Sequence, residues 1–515
     1  MSTKSTAESA SATQSTSATQ TASAPKTPRT PNTAASLSFS EVLPGYAWLT
    51  ILGLVAIWGI GELSGNPINA VVLAIIVMVA LCLIKIPVTV ALITAAMIGG
   101  LQAGLGIEGT LGAFNDSLLV GAQVGLTYVM VGALAVALAR SGLIELFAQW
   151  VSNKAGTDKE TAGKGVKWGL FGMLIVASLM SQNLVPVHIA FIPILLPPLL
   201  GVLNRLRVDR RGVAAILACS MSASYLLLPT GFGAIYLNEI LLANVNEFGA
   251  DYGLSATASM APKAMFWPVM GLIAGMFFAI FISYRKPREY AEPAPGSTLA
   301  TTEHPETVTL KPFPLVMTLA ALAAALFFQI AFDSLLLGAM IGFILLSVAG
   351  IFRWDDQDDV FTKGLLMMAQ IAVIITVASG FAGLLASTGQ IDSLIAATAS
   401  FVGGNQAFGA FLMLFIGLFI TIGFGDSFAS VPILAPIYIP LALELGFSPL
   451  ATMCLLGAAA ALGDAGSPAS TISLGVTSGL NADGRHDHIR DTVIPTFLHC
   501  NVGMLLFAWI AALML

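Results

Sequence analysis

Nine stretches of this sequence are apolar for about as long as a helix needs to cross a bilayer, and their recurrence constrains the fold more than any motif does. They run approximately over 46–63, 68–84, 87–106, 117–139, 265–284, 313–331, 333–352, 364–387 and 495–514. Only 10% of the residues are charged and 57% are hydrophobic, whereas a soluble domain carries about 25% charged residues. With a mean hydropathy of +0.87, the chain is no ordinary cytosolic enzyme. It reads as an all-α polytopic membrane protein with about 11 spanning helices once interrupted segments are counted. Its 50 glycines suit close helix packing in lipid.

Residues 1–42 differ from the rest. They are rich in Ser, Thr and Ala, nearly free of large apolar side chains, and lack the apolar stretch of a cleaved signal. They read as a disordered cytoplasmic tail. Cys82, Cys219, Cys454 and Cys500 lie in apolar segments without paired spacing, so they read as small core residues rather than disulfide or metal partners.

Four apolar segments carry polar interruptions: 167–204, 212–246, 406–445 and 449–480. Basic residues at Lys85, Arg140, Lys154 to Lys167, 205–211, Arg285 to Arg288, Arg353, Lys363, Arg485 and Arg490 mark one set of loops as cytoplasmic, with the N-terminus inside. Segment 167–204 then has basic residues at both ends. It is either a re-entrant hairpin with its tip at "SQNLVPVH" or a pair of full crossings. Segment 406–445 has the same form, with both ends outside. Pro193 and Pro432, Pro197 and Pro436, and Pro229 and Pro468 share one ungapped register, and "IPILLP" overlays "VPILAP". Two inverted-topology repeats, each with a re-entrant hairpin and a broken helix, are the sequence mark of a secondary transporter. The layout is a first repeat over 43–284 with an extra N-terminal helix, a cytoplasmic linker over 285–312 and a second repeat over 313–515.

Breaks at "SQNLVPVH", "LPTGFG", "GFGDSFASVP" and "GDAGSPAS" free backbone groups that hydrocarbon cannot satisfy, so protein or a water-filled cavity must surround them. Asp426 and Asp464 are the only acidic residues in these breaks. Such carboxylates mark ion pathways, and the alternative role for each is capping the next half-helix. A desolvated carboxylate is stable either protonated or beside a cation, so one group can exchange H⁺ for Na⁺. Hard oxygen donors suit Na⁺, which makes Asp426 and Asp464 the candidate metal ligands. Gln182 and Asn183 read as cavity-lining. Ser430 and Thr471 read either as site hydroxyls or as packing groups. His188 is a proton-titrating group or a packing histidine, and His499, beside Asn501, is a weaker case of the same kind. Glu239 falls toward the outer surface, "HDH" at 486–488 reads as loop polarity, and "DDQDD" at 355–359 as a solvated turn.

At "SQNLVPVHIAFIPILLPPLL", "DRRGVAAIL", "LLPTGFG" and "GDAGSPAS" the chain resembles the NhaC-like bacterial Na⁺/H⁺ antiporter family, within the ion-transporter superfamily of paired inverted repeats. The resemblance covers most of the chain beyond residue 45. It implies a multi-pass inner-membrane protein whose hairpin tips and broken helices hold sodium and substrate. By position it points to Gln182, Asn183, His188 and Thr230 in one half, and to Asp426, Ser427, Asp464, Ser467 and Ser470 in the other. It also implies a homodimer.

Two functions fit. One is Na⁺:H⁺ antiport by alternating access; the other is Na⁺- or H⁺-coupled import of a small organic solute such as an amino acid or carboxylate. No H-E-x-x-H, G-x-S-x-G or Walker A pattern appears, so the chain reads as no enzyme. The partners expected are the bilayer, an inorganic cation and a small solute, with no cofactor and no nucleic acid.

Overall fold

Capping residues fix where many of the helices begin. In the computed structural model, which describes residues 45–65, 67–143, 146, 164–183, 188–290, 312–332 and 334–515, Asn69, Asp209, Ser448 and Ser470 each accept a backbone N–H in the first turn of the helix that follows. The tail over 1–42, the hairpin residues 184–187, most of the 285–312 linker and the His188 and Pro193 side chains lie outside the described residues.

In chain order the helices are α1 (Gly45–Leu63), α2 (Ala70–Leu83), α3 (Val88–Gln102), α4 (Gly106–Asp116), α5 (Leu118–Arg140), α6 (Lys164–Asn183), α7 (His188–Arg205), α8 (Arg210–Leu227), α9 (Phe232–Tyr252) and α10 (Met260–Ser283). The second half has α11 (Pro312–Phe332), α12 (Leu335–Val348), α13 (Gln357–Ser387), α14 (Ile391–Val402), α15 (Gln406–Phe424), α16 (Ser427–Glu444), α17 (Pro449–Ala461), α18 (Thr471–Leu480) and α19 (His488–Met514). Among the described residues there is no strand. Among the described residues eight helices are long and apolar enough to span a membrane, or nine with the pair α8–α9, bent by 58°. The apolar helices α2, α3 and α12 are shorter. The chain is an all-α polytopic membrane protein.

The repeat read from the prolines recurs in the helix starts. Leu118 and Gln357, His188 and Ser427, Arg210 and Pro449, and Phe232 and Thr471 are each offset by the 239 residues that also separate Tyr225 from Asp464. Equivalent helices α5 and α13 cross at small residues. A Cβ on Gly125 would sit 3.0 Å from the Ala372 carbonyl oxygen, and one on its equivalent Gly364 would sit 2.4 Å from Cα of Ala133, the equivalent of Ala372. This reciprocal contact is what two-fold-related helices make when backbones meet through small side chains. The hairpins exchange partners in the same way: α7 packs on α18 of the second repeat, and α16 packs on α9 of the first.

Each hairpin tip reaches the break of its own repeat. A Cβ on Gly231, which has φ +56°, would meet the Gln182 and Asn183 carbonyl oxygens at 2.6 and 2.7 Å. Likewise a Cβ on Gly425, at φ +65°, would lie 2.5 Å from the Ser470 nitrogen. Helices α17 and α18 have 13 and 10 residues, so the break between them sits partway through the protein and so does the tip that touches it. A tip that ends beside a break partway through the protein is the geometry a re-entrant hairpin has, although Gly165–Asn183, Gln406–Gly423 and Ser427–Glu444 are each also long and apolar enough to cross.

Two expectations need correction. Cys219 and Cys500 are joined by a disulfide that ties α8 to α19; at a sequence separation of 281, no local spacing signals the pair. The His-Asp-His stretch is not mere loop polarity. His486 is 2% exposed and bonds Thr492 Oγ1 at 2.7 Å, while His488 bonds Thr477 Oγ1 at 2.7 Å and the Pro468 carbonyl at 2.9 Å. The acidic stretch is largely exposed, as a solvated turn is, and within it Asp359 accepts from Arg140 at 2.6 Å and from Lys363 at 2.8 Å. Beside the histidines Arg210, wholly buried, pairs with Asp483 through both terminal nitrogens, donates to Leu480 O and Asn204 Oδ1, and stacks on the Tyr290 ring.

Candidate functional site

The loop between α17 and α18 exposes backbone at the point where the α15–α16 tip arrives, and three hydroxyls converge there on one carboxylate. Asp464 Oδ2 accepts from Tyr225 Oη at 2.5 Å and from Ser427 Oγ at 3.0 Å, and Oδ1 accepts from Ser470 Oγ at 2.9 Å. Tyr225 and Ser427 also lie 2.8 Å apart through their hydroxyls. These donors come from the first repeat's broken helix, the second repeat's hairpin and the start of α18. The site is thus built from both halves of the chain. Asp464 is 5% exposed, and such a carboxylate needs its hydrogen bonds to remain ionised.

Asp426 stands across a cavity of about 20 Å³ lined also by Tyr128, Gln182, Ser427 and Thr471, which is room for one water-sized occupant. Its side chain caps α16 through the Ala429 N–H at 2.9 Å. Phe428 forms one wall, with its ring centroid 5.6 Å from Tyr128 and 5.3 Å from Tyr225. These rings hold bulk water away, and electrostatic interactions in such a site are stronger than at a surface. Tyr128 is 2% exposed and its hydroxyl has no partner. An unpartnered buried hydroxyl costs about 1–3 kcal/mol, so an occupant of the cavity is what would satisfy it.

The candidate residues divide on this geometry. Gln182, Asp426, Ser427, Asp464 and Thr471 line the cavity, and Ser470 supports Asp464 from behind. Ser467 instead binds the Ile422 carbonyl at 2.9 Å and fastens the α15 end to the break. Ser430 bonds back to the Asp426 carbonyl at 2.5 Å, a helix-internal contact. Thr230 lies in the first break without lining the cavity. Asn183 is at the hairpin tip, its Oδ1 buried and unpartnered. His188 begins α7, its side chain outside the described residues. Glu239 is half-buried in the π-helical turn Ile235–Leu242 of α9. His499 bonds Ser283 at 2.8 Å and the Pro495 carbonyl at 2.6 Å, as a packing histidine does.

Tyr225 and Tyr128 escaped the sequence reading because each sits in an apolar run. A signal for Tyr225 was nevertheless present, since the register that pairs the prolines also pairs Tyr225 with Asp464.

Two family models match, both described as Na⁺/H⁺ antiporter families, one over residues 218–509 and the other over 69–155. An uncharacterized membrane protein of Vibrio parahaemolyticus is 44% identical over 87% of this chain and 100% of its own length. Bacillus subtilis YuiF, whose name provisionally assigns it to amino acid transport, is 41% identical over 87% of this chain and 100% of its own. Among solved structures, Neisseria gonorrhoeae MtrF, named with antimetabolite efflux pumps, shares the fold at TM-score 0.55 and 13% identity, covering 85% of this chain and 97% of that one. The Alcanivorax borkumensis YdaH transporter does so at TM-score 0.50 and 16% identity, covering 79% and 88%. A family model spanning more than half of the sequence, with relatives above 40% identity along their full lengths, makes this chain a member of the Na⁺/H⁺ antiporter family.

Proposed function

We propose that the chain is a Na⁺:H⁺ antiporter working by alternating access, with Asp464 as the group that takes Na⁺ and H⁺ in turn. The observation that carries this is the Asp464 carboxylate, held by three hydroxyls and facing Asp426 across a cavity of about 20 Å³. Two carboxylates around so small a space repel each other unless a cation or a proton lies between or upon them. Ionised, the pair offers Na⁺ a set of hard oxygens: both carboxylates, the Ser427 and Thr471 hydroxyls and the Gln182 amide oxygen. Protonated, Asp464 needs no cation. Competition for one carboxylate is enough to couple the two ions, and the protein changes face only when the charge is compensated. The hairpin tips and broken helices then form the moving unit, while α5 and α13 belong to a scaffold. In this reading the protein sits in the bacterial inner membrane with a cytoplasmic N-terminus, in line with its basic loops, and it pairs as a homodimer.

A second reading, coupled import of a small organic solute, draws support from the name of YuiF. The Asp464 cavity is too small for an amino acid in this conformation. Purified protein in liposomes with an internal pH dye tests both. Antiport predicts dequenching on Na⁺ addition that saturates and disappears in Asp464→Asn. A silent dye together with uptake of a labelled amino acid or carboxylate would favour the importer.

A further inference from the structure

A larger cavity, of about 330 Å³, lies beside the break of the first repeat and shares no lining residue with the Asp464 cavity. Pro229, Ala234, Asn238, Ser259, Gln329 and Ile330 are among its walls. None of the described residues lining it carries a charge. Gln329, on α11, is 6% exposed. Its Oε1 accepts from the Gly231 N–H at 3.1 Å, which fixes the amide plane. Its Nε2 is buried and has no partner among the described residues. Across the cavity Asn238, in the π-helical turn of α9, presents a buried and equally unpartnered Oδ1. One group donates and the other accepts, yet they do not bond each other. Buried amide atoms left so are costly, and that cost falls when an occupant meets both.

We propose that this cavity binds a small uncharged solute whose polar edge carries a hydrogen-bond acceptor beside a donor, as a primary carboxamide does. The solute's carbonyl oxygen accepts from Gln329 Nε2, and its N–H donates to Asn238 Oδ1. A carboxylate or ammonium edge fits less well, because the first offers only acceptors and the second only donors to a pair of atoms of which one donates and the other accepts. The apolar walls at Pro229, Ala234 and Ile330 take a short alkyl tail. The site stands whichever ions Asp464 exchanges, since the two cavities have separate walls.

The test uses the full-length purified protein and the series acetamide, propionamide and butyramide, with acetate, propionate and butyrate as charged matches. Melting temperature is followed against ligand concentration. The amides are expected to raise it saturably and the carboxylates are not. Gln329→Leu and Asn238→Leu should each weaken the amide response about tenfold, the loss of one hydrogen bond at each site, while leaving the response to Na⁺ intact. Gln329→Leu also frees the Gly231 N–H, so if that variant does not fold, Asn238→Leu alone decides. Equal shifts from amides and carboxylates, an undiminished amide response in Asn238→Leu, or no saturable response because the cavity holds water only, would each overturn the proposal.

Discussion

Tyr225 and Asp464 occupy equivalent positions in the two repeats, 239 residues apart, and the tyrosine hydroxyl donates a 2.5 Å hydrogen bond to the carboxylate. Equivalent residues of a two-fold arrangement meet only near its axis, so the axis runs through the candidate site. Two carboxylates on that axis would repel, whereas a phenol and a carboxylate make a donor and an acceptor. The second repeat kept the acid and the first supplies its partner. Tyr225→Phe keeps the ring packing on Phe428 and removes only the donor. A hydrogen bond to a charged group contributes about 1.5–3 kcal/mol and this one is already made in the fold, so Tyr225→Phe should lower the melting temperature and also weaken the apparent Na⁺ affinity in proteoliposomes. An unchanged Na⁺ response would remove Tyr225 from the site.

Asp426 has two roles that substitutions can separate. Its Oδ1 caps α16, and asparagine caps about as well as aspartate while alanine does not. Asp426→Asn should therefore melt within about 0.5 kcal/mol of the parent, and Asp426→Ala should lose about 1 kcal/mol more. If the charge serves transport, both variants lose Na⁺-driven dye response to a similar degree. A fully active Asp426→Asn would leave the residue as a cap alone.

The buried charge network near the start of α8 gives a pH dependence that starts from His486. Burial pushes its imidazole down to about 4, with Asp491 and Asp209 pulling it up and Arg210 and Arg288 pushing it further down. An unfolded histidine titrates near 6.5, so the folded state prefers the neutral ring and its contribution is complete above that pH. Stability is lost as pH falls from 6.5 toward about 4, on the order of 2–3 kcal/mol for a group this buried. Melting temperature measured across that window should drop, and His486→Gln should flatten the drop relative to the parent. Asp483 adds a second loss at lower pH. Burial alone would raise its carboxyl, but the hydrogen bond and charge of Arg210 outweigh it and hold the group below the ordinary range. Its share is present above the unfolded aspartate value and goes as pH falls below it.

Much of this architecture was legible because lipid makes sequence simple to read. Apolar length gave the spans, and prolines at matched positions gave the repeat. A break in an apolar helix must be sheltered, which is why Asp426 and Asp464 stand out in the sequence. What stayed hidden were contacts that join distant segments through ordinary-looking residues. Cys219 and Cys500 have no spacing that signals a pair. Tyr128 and Tyr225 look like core aromatics. Gln329 sits alone in α11, where only the fold brings it to Gly231. The hydroxyls were also mis-sorted: Ser467 and Ser470 are equally plausible from sequence, yet one fastens a helix end and the other supports the carboxylate.

Asn501 is the residue whose cost in this conformation most needs a reason. It is 1% exposed, neither its Oδ1 nor its Nδ2 has a partner, and it packs against Gly466 in the break that carries Asp464. Burying an amide with both ends unpaired is unfavourable, and replacing it with an apolar side chain of similar shape should stabilise the fold by about 1–3 kcal/mol. Asn501→Leu is therefore expected to melt higher than the parent. If the break beside it rearranges during transport, the Asn501 amide gains partners there that it lacks in this conformation. The same variant should accordingly turn over more slowly while binding Na⁺ in the present conformation as the parent does. A higher melting temperature with turnover unchanged would mean that Asn501 finds no partner during transport. A lower melting temperature would mean that its amide is already satisfied, by water or by an ion held at the break.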